Sequence, residues 1–295
     1  MELSEKMVDG MTQGRGKMVW RCGSHELDLS EKGIIAGILN VTPDSFSDGG
    51  RYAMQEAALG RAMEMIEEGA TLIDIGGEST RPGAEAVALD EEKRRVLPVI
   101  EALANRWNGP ISVDTSKAEV AREALSLGAS VVNDVSGLRD GEMVRVCAAS
   151  DCGVVVMHMR GTPKTMQVDP GYEDPVREVT DFFAERLQTL SAAGISPERL
   201  CWDPGIGFGK RLEDNAALIR GGRQLSVGDR PIMMGISRKS FIGKLLGETE
   251  LAARDWPTVG LTAWTRGLGA RVHRVHQVKE NLDALRMAEA LLSSR

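Results

Sequence analysis

The sequence is poor in the residues that disulfide frameworks, metal sites and membrane spans require. Its four cysteines, Cys22, Cys147, Cys152 and Cys201, include no Cys-x-x-Cys pair. They read as buried thiols of a reducing compartment rather than as disulfides or ligands. The four histidines form no Ser-His-Asp or Cys-His pairing with other residues, so covalent catalysis has no obvious nucleophile and base. No apolar run approaches the roughly 18 residues of a membrane span, and no apolar segment follows the start, so the expected setting is cytoplasmic with no membrane partner. Cationic side chains are also too few for a nucleic-acid partner: 36 basic against 43 acidic residues leave a formal charge of −7. Nor does a Gly-x-Gly-x-x-Gly open a helix after the first apolar run, which argues against the rival open, doubly wound sheet.

What the chain does contain is a repeated unit. A helical period ends at glycine, a short β-branched run follows, and a polar residue ends the run. Gly69 to Asp74, Gly128 to Asn133 and Gly153 to His158 are copies, and Gly269 begins another. A glycine there suits the left-handed residue that closes a helix. A continuous apolar run suits a strand buried on both faces, as in a parallel sheet. Eight strands are expected near 34–39, 71–76, 111–114, 131–135, 154–158, 200–203, 231–236 and 270–275. The helix after Asp90 contains Pro98 and is expected to kink or restart there. Eight such units fit an α/β fold of the (β/α)8 TIM-barrel class. Residues 17–29 read as an N-terminal β-hairpin plugging the barrel's bottom. Residues 1–16 read as a disordered segment, and 17–295 as one domain.

A barrel gathers its strand ends on one face. The polar residues there are Asn40, the loop from Glu78 to Gly83, Asp114, Asn133, Asp203, Ser237 to Ser240, Arg274 and His276. Helix capping is the plain alternative for Asp114 and Ser237 taken singly. It does not account for the whole set. Asp114, Asn133 and Asp203 suit the edge of a flat heterocycle carrying ring N–H and NH2 groups. Arg81, Lys239, Arg274 and His276 suit an anion. The glycine run after Asp203 either admits a ligand close to the backbone or is simply a flexible loop. Ser240 begins a helix and suits a carboxylate. His158 reads as a core or supporting residue, and His273, opposite Arg274 by strand alternation, as facing the helices. The segment from Asn40 to Gly50 leaves a strand end as a polar loop with Asp44, Asp48 and an unsupported Phe46, which marks it as a cover over the site.

Taken together, these motifs resemble the dihydropteroate synthase family over about residues 32–292. The match runs in order through Asn40-Val41-Thr42-Pro43-Asp44-Ser45-Phe46-Ser47-Asp48, Gly76-Gly77-Glu78-Ser79-Thr80-Arg81-Pro82-Gly83, Asp114-Thr115-Ser116-Lys117 and Asn133-Asp134. It continues through Met157 to Met166, Asp203 to Lys210, Ser237 to Ser240 and Arg274-Val275-His276. The resemblance implies condensation of a dihydropterin diphosphate with p-aminobenzoate in folate synthesis, inhibition by sulfonamides, and a homodimer. It assigns Asp114, Asn133, Asp203 and Lys239 to the pterin edge, with Met157, Phe208 and Val275 against the substrates. Arg274, His276, Thr80 and Asn40 go to the diphosphate, Asn40 also touching a Mg2+ cofactor. Ser240, Phe46, Arg81 and Pro82 go to p-aminobenzoate. The catalytic set is Asp44, Asp48, Lys239 and Arg274. The rivals are a corrinoid-linked pterin methyltransferase and a non-catalytic pterin binder. Two features depart from the family: Gln277, where Asp is usual, and the bulky stretch from Arg254 to Trp264. Trp256 and Trp264 read first as core, with an oligomer contact as the alternative.

Overall fold

A computed structural model describes residues 17–42, 51–79, 86–161, 166, 171–247 and 250–293, apart from the side chains of 51–53. The segment 1–16 lies outside the described residues. A hairpin, β1 (Val19–Cys22) and β2 (His25–Asp28), precedes eight parallel strands. These are β3 (Ile34–Asn40), β4 (Leu72–Gly76), β5 (Ile111–Asp114), β6 (Val131–Asp134), β7 (Gly153–Met157), β8 (Leu200–Asp203), β9 (Met233–Met234) and β10 (Val272–Val275). They pair in the order β8-β7-β6-β5-β4-β3-β10-β9. A bridge between Trp202 and Ile232 joins β8 to the start of the β9 segment and closes the ring. The helices are α1 (Arg51–Glu67), α2 (Leu89–Ala104), α3 (Ala118–Ser126), α4 (Gly141–Ala148), α5 (Pro175–Ala192), α6 (Leu212–Gly221), α7 (Ser240–Leu246), α8 (Asp255–Gly267) and α9 (Val278–Ser293).

Strand alternation divides the core in two. Ala36, Leu72, Val131, Val155, Cys201, Met233 and Val272 point into the barrel and pack with Trp20, Cys22 and Leu29 of the hairpin segment. Their neighbours, including Ile35, Ile73, Val113, Val132, Val154 and Val156, point out and pack with the helices. The hairpin therefore closes the bottom, as expected, and Trp20 Nε1 donates to the Arg199 carbonyl at 2.9 Å. Gly69 and Gly128 have φ of 101° and 110°, as helix-closing residues should. Gly153 departs from the expected role, because it is the first residue of β7 rather than a helix end. A Cβ there would stand 2.7 Å from Cys22 Sγ, so glycine is required by the plug. Pro98 does not restart the helix; α2 runs through it from Leu89 to Ala104.

The register aligns the functional strand ends. Asn40 pairs with Gly76, Gly76 with Asp114, and Asp114 with Asn133. That row forms the rim of the mouth. Asp74 lies two residues before Gly76 and so faces the same way, one layer deeper.

Candidate active site

At the mouth, Arg274 reaches across the barrel from β10. Its Nε donates to Asp74 Oδ2 at 2.5 Å, and its Nη2 to Asp114 Oδ2 at 2.7 Å. Asn133 Nδ2 also donates to Asp74 Oδ2, at 3.1 Å. One guanidinium thus bridges two carboxylates contributed by β4 and β5. Asp74 is nearly inaccessible and Arg274 is its ion-pair partner among the described residues, so the bridge relieves a carboxylate that burial would otherwise penalise. Burial pushes Asp114 up to about 7; Arg274 opposes that rise, while Asp74 and Glu92 add to it. The protonation state of Asp114 is therefore poised near neutrality.

The opposite wall comes from β8 and the segment after β9. Burial raises the Asp203 carboxyl, which the Gly205 amide hydrogen bond and the Lys239, Arg274 and Lys210 cations partly offset. Gly205 N donates to Asp203 Oδ1 at 2.7 Å, which fixes the carboxylate plane. Lys239 Nζ lies 3.9 Å from the centre of the Phe208 ring, a cation–π contact. Behind them Lys210 Nζ donates to the carbonyls of His158 and Phe208 at 3.2 and 3.0 Å. Burial pulls Lys210 down to about 7, although Asp203 works the other way.

Lys239 follows a strained residue. Arg238 has a φ of 57°, unfavourable for a side chain with a Cβ. Asp255 grips its guanidinium at 2.7 and 2.9 Å, and Arg254 donates to its carbonyl at 3.1 Å. These contacts hold the turn that presents Lys239 and Ser240. The Gln277 side chain also hydrogen-bonds Asp255, so its amide supports this turn where a second carboxylate would repel it.

Two connected spaces result. The inner pocket is lined by Asp114, Asn133, Met157, Asp203, Phe208 and Arg274, among others, and encloses only about 20 Å3. Above it opens a cleft of about 620 Å3 whose walls include Asn40, Ser79, Ser237, Ser240, Arg274 and His276. His276 Nδ1 and Ser237 Oγ are 2.8 Å apart.

The expected site residues thus converge where they are described, with one correction. Val275 points into the helical layer and joins the outer core, because alternation along β10 turns it away from Arg274. Asp44, Phe46, Asp48, Thr80, Arg81 and Pro82 lie outside the described residues. His158 is buried, and desolvation lowers it to about 2; His273 is likewise pulled down to about 3 by burial and the Arg266 charge on α8. Sequence reasoning missed Asp74. Its signal was present, as the polar end of a repeated unit, but its Arg274 partner is tertiary. Trp256 and Trp264 are not core: they are 75% and 61% exposed.

The model of the pterin binding enzyme family matches residues 36–276. The dihydropteroate synthase of Escherichia coli K12 is 45% identical over 271 residues, covering 91% of this chain and 95% of that one. The chain belongs to the dihydropteroate synthase family. A Xanthomonas albilineans dihydropteroate synthase solved with 4-aminobenzoic acid superposes with a TM-score of 0.88 at 42% identity, covering 94% of this chain and 99% of that one. A Burkholderia cenocepacia dihydropteroate synthase complexed with 7,8-dihydropteroate superposes with a TM-score of 0.86 at 41% identity, over 94% and 98% of the two chains. The family's barrel, with its strand-end site, is therefore the frame within which Asp74, Arg274 and Asp114 are arranged.

Proposed function

We propose that this chain, a transferase, condenses (7,8-dihydropterin-6-yl)methyl diphosphate with p-aminobenzoate, giving 7,8-dihydropteroate and diphosphate in folate synthesis. The convergence of Asp114, Asn133, Asp203, Lys239 and Arg274 on one narrow pocket beneath a wider cleft carries the reading. Two carboxylates can accept from ring N–H and NH2 groups, while the Asn133 amide and Lys239 can donate to ring nitrogen and carbonyl. An inner space of about 20 Å3 is too small for a bicyclic ring, so entry requires Arg274 and Lys239 to give way. Released from Asp114, Arg274 can lie over the ring and face the diphosphate with His276 and Thr80.

Asn40 would hold Mg2+. The described residues contain no cluster of three or more His, Cys, Asp or Glu groups able to hold a metal. A single amide oxygen at the end of β3 fits an ion that draws its remaining ligands from diphosphate and water. Such an ion would supply charge neutralisation to the leaving group. Ser240 would receive the p-aminobenzoate carboxylate. Since α7 has only seven residues, the hydroxyl and first amides rather than a long helix dipole would do this. Phe46, Arg81 and Pro82 would flank the aromatic ring.

Without a nucleophile, the reaction proceeds by loss of diphosphate to a methylene cation conjugated with the pterin, followed by attack of the aromatic amine. Asp44 and Asp48 would face that cation, and Lys239 and Arg274 would hold the ring and leaving group in place. Exclusion of water protects the cation from hydrolysis. The protein works in the cytoplasm on this reading, since its cysteines are free thiols and no described helix is long and apolar enough to cross a membrane. It is a homodimer through α8 and α9, whose Trp256, Trp264, Met287 and Leu291 stand exposed.

The deciding assay mixes the protein with the dihydropterin diphosphate, Mg2+ and p-aminobenzoate and measures diphosphate release. Release saturable in p-aminobenzoate and blocked by a sulfonamide is expected. Lys239→Ala and Asp203→Ala should abolish pterin binding, and Asp48→Ala should chiefly lower turnover. Tight pterin binding with no turnover would sink the catalytic reading. Exchange of the bridging oxygen of the diphosphate without p-aminobenzoate tests the dissociative order; its absence would point to direct displacement.

A further inference from the structure

The floor of the barrel, opposite the mouth, has a cleft of its own. It encloses about 380 Å3 between the hairpin turn at Gly23 and His25, Trp107 beyond α2, Ser130 before β6, and the segment from Ser150 to Cys152. Cys152 forms part of its wall and is the route by which the cleft meets a cluster of thiols.

Cys147 lies near the end of α4 and Cys152 just before β7, and the Ser150 hydroxyl between them donates to the Cys147 carbonyl at 3.2 Å. The Ser150 hydroxyl donates to Cys152 Sγ at 3.2 Å. The Arg199 guanidinium reaches the same sulfur at 3.7 Å. Arg199 is held there by the carbonyls of Cys147 and Cys152, at 2.6 and 2.7 Å. A hydroxyl and a buried cation therefore converge on one sulfur, with the Cys147 thiol as its neighbour. The arrangement stabilises a thiolate. The Cys147 hydrogen bond, aided by Ser150 and Arg199 against burial, lowers Cys152 to about 6. The other thiols go the opposite way. Cys147 is raised by that same hydrogen bond and by burial, while burial raises Cys22 and Cys201. Cys152 thus has a protonated cysteine as neighbour and, although only 2% exposed, forms part of the wall of the floor cleft.

We propose that Cys152 is a peroxide-reactive thiol and Cys147 its resolving partner, so that a small hydroperoxide entering the floor cleft closes a Cys147–Cys152 disulfide. In the first step the Cys152 sulfur attacks one peroxide oxygen. An S–O bond forms, the O–O bond breaks, and with hydrogen peroxide one water leaves after taking a proton. In the second step the Cys147 sulfur attacks Cys152 sulfur. The S–S bond forms, the S–O bond breaks, and the hydroxyl leaves as a second water with the Cys147 proton. The two sulfurs lose two electrons and the two peroxide oxygens gain them, so no further oxidant is needed. The pair lies at the opposite end of the barrel from Arg274 and Asp114, and shares no residue with the mouth.

The test uses the folded, full-length, reduced protein and dilute hydrogen peroxide, followed by alkylation under denaturing conditions and tryptic mapping. Cys147 and Cys152 fall in one tryptic peptide, residues 146–160. That peptide should lose its two alkylation sites and become lighter by two hydrogens, while Cys22 and Cys201 remain alkylated. Cys147→Ser should stop at a sulfenic acid on Cys152, captured by a carbon-acid probe such as dimedone. Cys22→Ser should still form the disulfide. Without peroxide, Cys152 should react with a maleimide at least ~10-fold faster than the other three thiols near neutral pH. Retention of both thiols in the 146–160 peptide, or pairing of Cys152 with Cys22, would overturn the proposal. The wild-type map decides it even where a serine variant fails to fold.

Discussion

At the scale of single residues, the site turns on how Arg274 divides itself between Asp74 and Asp114. Asp114 has a native pKa near 7 and an unfolded value near 4. An acid whose pKa is raised by folding binds more protons in the native state, so its ionisation costs stability as pH rises from the lower value to the higher. Asp114→Asn removes that titration. Its stability relative to wild type should improve between about pH 4 and about pH 7, with a slope of at most ~1.4 kcal/mol per pH unit, and level off above. Urea unfolding across that range measures the slope; a flat difference would refute the raised pKa. Asp74→Asn should act differently. It keeps the shape but removes the charge that orients Arg274, and should weaken pterin binding about tenfold, near 1.4 kcal/mol by calorimetry. Asp114, Asn133 and Asp203 were readable from sequence because each ends a short, mostly apolar run, and Arg274 because it falls in the last expected strand. Asp74 ends such a run too. Its importance was hidden because nothing local announces that a residue 200 positions away will share its carboxylate.

At the scale of elements, the connections after β4 and β5 are stapled together. Lys117 bridges Glu78 and Glu92, and Thr115 donates to Glu92 at 2.6 Å. Glu92 is almost wholly inaccessible on α2. Removing its cation leaves, among the described residues, a buried carboxylate with the Thr115 hydroxyl as its remaining side-chain partner. Lys117→Met should therefore lose ~2–3 kcal/mol, less than a fully buried pair because the lysine is partly solvated. Calorimetric unfolding of Lys117→Met, Glu92→Gln and the double variant should show that the second change recovers part of the first's loss; simple additivity would deny the coupling. Strand positions were readable because buried parallel strands leave continuous β-branched runs. The element β9 shrinks from an expected 231–236 to Met233–Met234, since the chain must leave the sheet to build the turn at Arg238. That turn depends on a side-chain grip from α8, which periodicity does not encode.

At the scale of the whole molecule, the barrel was legible from repetition, and the outer face of α8 was not. Trp256, Gly260 and Trp264 recur at helical spacing, and a core position was the simpler reading for two tryptophans. Both tryptophans are instead exposed, as are Met287 and Leu291 of α9, the helix that packs against α8. Exposed apolar side chains of this size are what the proposed dimer contact would cover. Trp264→Glu should shift the proposed homodimer toward monomer, measured by light scattering after size exclusion, while leaving the mouth intact. Unchanged mass would remove this face from the dimer contact.

The Asp74–Arg274 bridge also has a consequence in time. The two residues are separated by 200 positions, and β10 comes after the other seven described strands of the barrel in chain order. A ribosome translating this message will have exposed β4 and β5 long before the arginine that neutralises them exists. Until then their carboxylates face one another with no cation from β10. A nascent chain stopped short of Arg274 therefore carries nearly all of the barrel yet lacks the cation that bridges Asp74 and Asp114, and ligand capture should begin only once β10 has been made.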